Sequence, residues 1–277
     1  MTMRKTRQFN SVKNQCLPVV TALLVFFGLI FFNHSAYAQI TDSGAAINKA
    51  GRQRMLSQRM AKCYFQIGMG VETENSKKIL DASLTTFERQ LNELKAYAPT
   101  PEIKEIYKQL ELKWGPYKEL LSVKTPNPGA ARQILVMSDQ VLALAHQGTV
   151  ALEKNTGGAL AGLVNISGRQ RMLSQRIAKF QQALEWQVGD ANARTEIDKA
   201  RSEFIKAQTE LKRAVQNTPE IHNELELAEM QWIFFDNAIQ SETSSSKKAA
   251  PANVATTSER ILEVMDHVTG LYEKLKL

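Results

Sequence analysis

From about residue 44 onward, apolar side chains recur at the three- and four-residue intervals of a helix. Leu80, Leu84, Phe87, Leu91 and Leu94 form one series, and Ile103, Ile106, Leu110, Trp114 and Tyr117 another. No run of alternating strand residues interrupts them. Turn-forming residues divide the pattern at Glu72 to Ser76, at Pro99-Thr100-Pro101, at Thr125-Pro126-Asn127-Pro128-Gly129 and at Asn155-Thr156-Gly157-Gly158. The spacing predicts helices over 44–70, 75–98, 102–121 and 130–154, then over 159–188, 192–216, 219–240 and 254–276. Four helices joined by short loops describe an up-down-up-down bundle. The expected fold is therefore all-α, with two tandem four-helix bundles.

The two sets of helices are copies of one unit. Gly51-Arg52-Gln53-Arg54-Met55-Leu56-Ser57-Gln58-Arg59-Met60-Ala61-Lys62 recurs as Gly168 to Lys179, changed only where Met60 becomes Ile177. Leu80-Asp81, Phe87 and Leu94 match Ile197-Asp198, Phe204 and Leu211 at the same offset of 117, and the third helices match at 118, with Trp114 against Trp232. Met137, Asp139 and Val141 pair more loosely with Val264, Asp266 and Val268 at an offset of 127, across a Ser-, Lys-, Ala- and Pro-rich stretch from Ser241 to Ser258 that reads as a surface loop. Cores tolerate apolar exchanges of similar volume, so near-identity at Arg, Gln and Ser points to a constraint beyond packing.

The repeated helix carries two nonpolar stripes. Leu56, Met60, Cys63 and Ile67 fall on one, and Ile47, Ala50, Arg54, Ala61 and Phe65 on the opposite one. Such a helix must be covered on two sides, and the small residues beside Arg54 and Arg171 allow another helix to come close. The Gly157-Gly158 break favours bundles side by side as a pseudo-dimer, with Arg54 and Arg171 within roughly 15 Å, over a continuous helix whose rise of about 1.5 Å per residue would hold them tens of Å apart. A guanidinium on such a contact needs a counter-charge, and no acid lies one turn away on its stripe. Either an anion lies between the two arginines, or each reaches an acid on a neighbouring helix or snorkels to water. The planar fork of Arg suits a planar oxyanion or carboxylate. Ser57, Gln58, Ser174 and Gln175 border the stripe as weaker candidates for the same anion. Arg52, Arg59 and Lys62 lie off it and read as solvated or salt-bridged.

Composition narrows the partners. Arg4, Lys5, Arg7 and Lys13, the apolar run Leu17 to Phe32 and then Ala36-Tyr37-Ala38 have the layout of a secretory signal peptide cleaved near Ala38. The expected organisation is a leader over 1–38, a first repeat over 39–154 and a second over 155–277, in the periplasm. Without the leader, 31 basic residues stand against 28 acidic ones, a net charge of only +3. Export removes nucleic acid as a partner. Cys63 is then the only cysteine, so an internal disulfide is excluded. His146, His222 and His267 are far apart and lack metal-ligand spacing. No nucleophile-base pair accompanies the block, and Asp139 and Asp266 read as helix surface, so neither a catalytic site, a metal nor a cofactor is expected.

Ile47-Asn48-Lys49-Ala50-Gly51-x-x-Arg54-Met55-x-Ser57-x-Arg59, and its copy from Val164 to Arg176, resemble the PilJ-type N-terminal domain of type IV pili methyl-accepting chemotaxis transducers. They also resemble the related periplasmic sensor domain of nitrate/nitrite-responsive histidine kinases. In those nitrate-sensing relatives a four-helix bundle pairs with its twin and the anion lies between the first helices, held by the arginine before the Met. The resemblance implies that role for Arg54 and Arg171, with nitrate or nitrite as candidate ligand. The relatives carry flanking membrane spans and a signalling module that this sequence lacks. The expectation is a non-enzymatic anion-binding or sensor-accessory protein, working with a membrane sensor or chemotaxis protein. The alternative is a structural protein whose repeated helices bind a membrane sensor or pilus component. Dimerisation of the whole chain is left open.

Overall fold

The computed structural model describes residues 40–123, 125–240 and 250–275, all within one compact unit. The expected signal peptide over 1–38 and its cleavage site lie outside the described residues. Among the described residues there are eight helices and no strand: α1 (Ser43–Met69), α2 (Thr73–Tyr97), α3 (Pro101–Leu121), α4 (Pro128–Thr156), α5 (Gly158–Glu185), α6 (Ala193–Lys212), α7 (Pro219–Gln240) and α8 (Ala250–Lys274).

Local chemistry sets the boundaries. The side chains of Asp42, Thr100 and Asn127 accept from the backbone N–H three residues on, capping α1, α3 and α4. Pro101 and Pro128 open their helices, where the missing N–H costs nothing. Gly157 (φ 71°, ψ 179°) and Gly158 (φ 81°) turn the chain between α4 and α5, a backbone that side-chain-bearing residues rarely adopt, so no continuous helix joins the copies. α8 starts at Ala250 rather than residue 254, because Pro251 is tolerated in a first turn. The expected loop from Ser241 to Ser258 is therefore helical in its last nine residues, and Ser258 is buried.

Helices α1–α4 form one bundle and α5–α8 the other, with the same joints in each. Gln53 Nε2 donates to the Phe87 carbonyl and Gln170 Nε2 to that of Phe204. Phe87 stacks on Trp114 at 4.1 Å between ring centroids, and Phe204 on Trp232 at 4.2 Å. The bundles meet through α1 and α5, the most extensive helix pair in the molecule. Gly51 faces Gly168 near the start of this pair, and Gly68 lies under Trp186 near its end, so α1 and α5 run in the same direction. α1 is covered by α2, α4, α5 and α8, and α5 by α6, α8, α1 and α4. That enclosure explains the two nonpolar stripes.

The fourth helices do not match at an offset of 127. Gln58 Nε2 donates to the Ser138 carbonyl and Gln175 Nε2 to that of Ser258, while Asn165 Nδ2 donates to Glu153 and Asn48 Nδ2 to Glu273. These pairings fix the offset at 120, which sets Asp139 against Glu259 and His146 against Asp266. The error is seven residues, about two helical turns, a slip that leaves an apolar pattern in phase with itself.

Substitution of Gly68 tests the α1–α5 contact. A Cβ there would lie 2.2 Å from the Trp186 ring, which is held between Tyr64 and Phe65. Gly68→Ala gains about 1 kcal/mol of helix propensity yet is expected to lower stability by a net 1 kcal/mol or so, as overpacking costs about 1–3 kcal/mol. Thermal melting checks this. An increase in Tm would contradict the described packing.

Candidate functional site

The crossing of α1 and α5 holds the repeated arginines. With no side chain on Gly51 or Gly168, each guanidinium enters the space between the helices. A Cβ on Gly51 would lie 3.2 Å from Arg54 Nη2 and 3.4 Å from Arg171 Nη2, and one on Gly168 would lie 3.1 Å from Arg171 Nη2 and 3.6 Å from Arg54 Nη2. Both arginines are fully buried. Arg54 Nη2 donates across to the Asn165 carbonyl at 3.1 Å, and Arg171 Nη2 to the Asn48 carbonyl at 3.2 Å. Long side chains on a helix lean toward its N-terminus, so each reaches the partner helix about one and a half turns back.

The symmetry stops at the charge. Arg171 Nη1 pairs with Asp266, which also takes Arg52 Nη2 at 2.7 Å, and Arg171 Nη2 donates to Asn48 Oδ1 at 2.8 Å. Arg54 Nη1 instead meets His146 Nδ1 at 3.3 Å, and among the described residues no carboxylate pairs with it. Arg54 Nε, Arg171 Nε and Asn165 Oδ1 are buried without a hydrogen-bond partner among the described residues. Burial first, then the Arg171 and Arg169 charges, pull the Arg54 guanidinium down to about 9. Burial lowers Arg171 to about 10 against the pull of Asp266. Burial, then Arg54 and Arg169, press the His146 imidazole down to about 4, so it is neutral at physiological pH. Its Nδ1 accepts from Arg54, which leaves the proton on Nε2.

Arg54 and His146 open onto a cavity of about 250 Å³, whose other walls include Leu142, Met172, Leu173 and Arg169. Ser57, Gln58, Ser174 and Gln175 do not line it. All four are buried and bonded within the protein: Ser57 Oγ to the Arg54 carbonyl, Ser174 Oγ to that of Arg171, and the glutamines to the fourth helices. They fix the backbone that carries the arginines.

The rest of the block ties the repeats together. Lys62 Nζ donates to Ser258 Oγ and Glu259, and Lys179 Nζ to Ser138 Oγ and Asp139. Arg59 pairs with Glu259, and Arg176 with Asp139 and Glu196. Both lysines are fully buried, so of the two expectations, solvated or salt-bridged, they follow the second. Asp139 and Asp266 are not mere helix surface but the counter-charges of buried cations. Against its own burial, Glu259 is held down at about 2 by Lys62 and Arg59. Sequence reasoning missed His146 and Glu259 because each lies on a fourth helix, where the copies had been aligned two turns out of register. Among the described residues no acid, His and Cys cluster could hold a metal, and no helix is long and apolar enough to cross a membrane.

A family model describing the N-terminal domain of type IV pili methyl-accepting chemotaxis transducers, PilJ, matches residues 36–141 and again 152–257. The two matches cover most of the chain, which therefore belongs to the PilJ family of sensory domains. No curated protein and no solved structure shows significant similarity to it.

The electrostatics give a pH signature. Between pH 6.5 and about 4 the unfolded chain protonates His146 while the folded chain does not, so stability falls as pH drops through that window. The stability due to Glu259 is fully present above about 4.5 and is lost as pH falls toward 2. Melts as a function of pH should show the first slope vanish in His146→Gln. Glu259→Gln, which strands Lys62 and Arg59, should lose about 3 kcal/mol at neutral pH. A His146→Gln protein with an unaltered profile between 6.5 and 4 would contradict the assignment.

Proposed function

We propose that the protein is a periplasmic small-anion-binding, sensor-accessory protein, in which two PilJ-type repeats in one chain reproduce a sensor homodimer. The observation that carries this reading is the pair of buried guanidinium groups facing each other across Gly51 and Gly168 with one carboxylate between them. A second buried positive charge without a counter-charge is costly, and an anion at the crossing relieves both the desolvation and the repulsion. Nitrate, nitrite and small carboxylates match the planar donor fork. Arg54, which lines the cavity and has no carboxylate partner among the described residues, is the primary anion ligand, with Arg171 behind it at the helix crossing. The protein acts by binding rather than by catalysis, and hands its state to a membrane sensor or chemotaxis protein.

The Arg171–Asp266 pair favours the structural reading for the second repeat alone. The two stripes of the repeated helices are buried between the bundles, which favours a partner surface on other helices. Among the described residues, α7 exposes Met230, Ile233 and Phe234 together.

Thermal melts with nitrate, nitrite and acetate test the proposal. Wild-type protein should be stabilised by at least one of them, and Arg54→Ala should bind it about 10- to 150-fold more weakly, the loss of a charge-assisted hydrogen bond of about 1.5–3 kcal/mol. Without anion, Arg54→Ala should be at least as stable as wild type. Arg171→Ala should weaken binding and also lower ligand-free stability, since Asp266 and Asn48 lose a partner. Unchanged anion-induced stabilisation in both mutants would reject the site.

A further inference from the structure

The offset of 120 between the fourth helices, with 117 for the first and second, superposes the cavity beside Arg54 on a second one in the other half of the molecule. Arg169, Met172, Leu173, Arg176, Asp139 and Leu142 of the first map onto Arg52, Met55, Leu56, Arg59, Glu259 and Leu262 of the second. His146 maps onto Asp266. In the second cavity the chain supplies its own carboxylate to the buried arginine, whereas in the first it supplies a neutral imidazole. The difference lies at the arginine itself: Arg171 pairs with the Asp266 carboxylate, whereas among the described residues Arg54 has no carboxylate partner.

We infer that the cavity at Arg54 is the single ligand-taking half of the pseudo-dimer, and that it receives the carboxylate of a small monocarboxylic acid in the role that Asp266 fills as a tethered carboxylate in the other half. This rests on the anion-binding reading above and specifies its stoichiometry and ligand class. Three observations carry it. Arg54 is fully buried and lines the cavity, and among the described residues no carboxylate pairs with it. His146 lines the same cavity with its protonated Nε2 free to donate, since its Nδ1 is taken by Arg54. Beside six further charged side chains, Leu142, Ala143, Met172, Leu173 and Ala200 form an apolar part of the wall. At about 250 Å³ the space exceeds what a triatomic or tetratomic anion fills, and an alkyl tail against these side chains adds favourable burial.

Calorimetry of the purified protein with sodium acetate, propionate, nitrate and sulfate tests the inference. Acetate and propionate should bind one per chain, propionate about three- to fourfold more tightly for its extra buried methylene, and sulfate should not compete. His146→Asp installs the pseudo-symmetric equivalent of Asp266. It should reduce carboxylate affinity about tenfold or more and raise the ligand-free Tm, while His146→Asn, isosteric but uncharged, keeps measurable binding. Asp266→His should convert the second half into a second site and raise the stoichiometry to two, with Asp266→Asn as the milder version should the first fold poorly. Undiminished carboxylate binding by His146→Asp, or two equal sites in the wild type, would overturn the inference. Binding of nitrate without either carboxylate would overturn it while leaving the anion-binding reading in place. If none of the anions binds, both fall.

Discussion

Everything at the centre of this molecule depends on how closely α1 and α5 cross at Gly51 and Gly168. A side chain at either glycine would meet the guanidinium groups of Arg54 and Arg171 at little more than 3 Å. Because the helices come so near, each arginine spans to a carbonyl on the opposite repeat, and its charge is taken out of water. Burying two like charges in one place is unfavourable by any estimate of the interior dielectric. Tandem duplication supplies the geometry, and divergence between the copies determines how the charge is balanced. Asp266 pairs with one arginine; among the described residues no carboxylate pairs with the other.

Around that crossing the repeated block works as a set of cross-repeat clamps. Lys62 and Arg59 reach Glu259, and Lys179 and Arg176 reach Asp139, so each repeat's central helix is bonded to the fourth helix of the other. Breaking one side of a buried pair is far costlier than the pair is stabilising. Such clamps therefore define register and orientation more than they add stability. This explains why Arg, Lys, Gln and Ser positions of the block resist change between copies while apolar positions drift.

Most of the architecture was legible in the sequence. Helical periodicity, proline and glycine punctuation and the 117-residue repeat gave eight helices with ends within a few residues of those observed, and the two-stripe pattern of α1 and α5 announced helices covered on both sides. Arg54 and Arg171 were legible too, since a charge amid small residues stands out on a helical wheel. The partners were not. Asp266 and His146 belong to fourth helices whose apolar pattern looks the same after a shift of two turns, so periodicity alone aligned the wrong residues and hid the one difference that breaks the symmetry. Ser57 and Gln58 adjoin the arginine in sequence, but their side chains leave the helix toward its own bundle. Salt bridging of Lys62 and Lys179 was open from the wheel, but their burial was not, because a wheel does not show that α8 and α4 close over them.

The central claim is that, of two buried arginines in equivalent places, one is neutralised within the chain and the other is left for an external anion. Diffraction from crystals soaked in bromide, a monoanion located by its anomalous scattering, measures this directly. The account predicts one bromide per chain beside Arg54 on its His146 side and none beside Arg171. Equal occupancy at both arginines, or bromide at neither while it binds elsewhere, would contradict it.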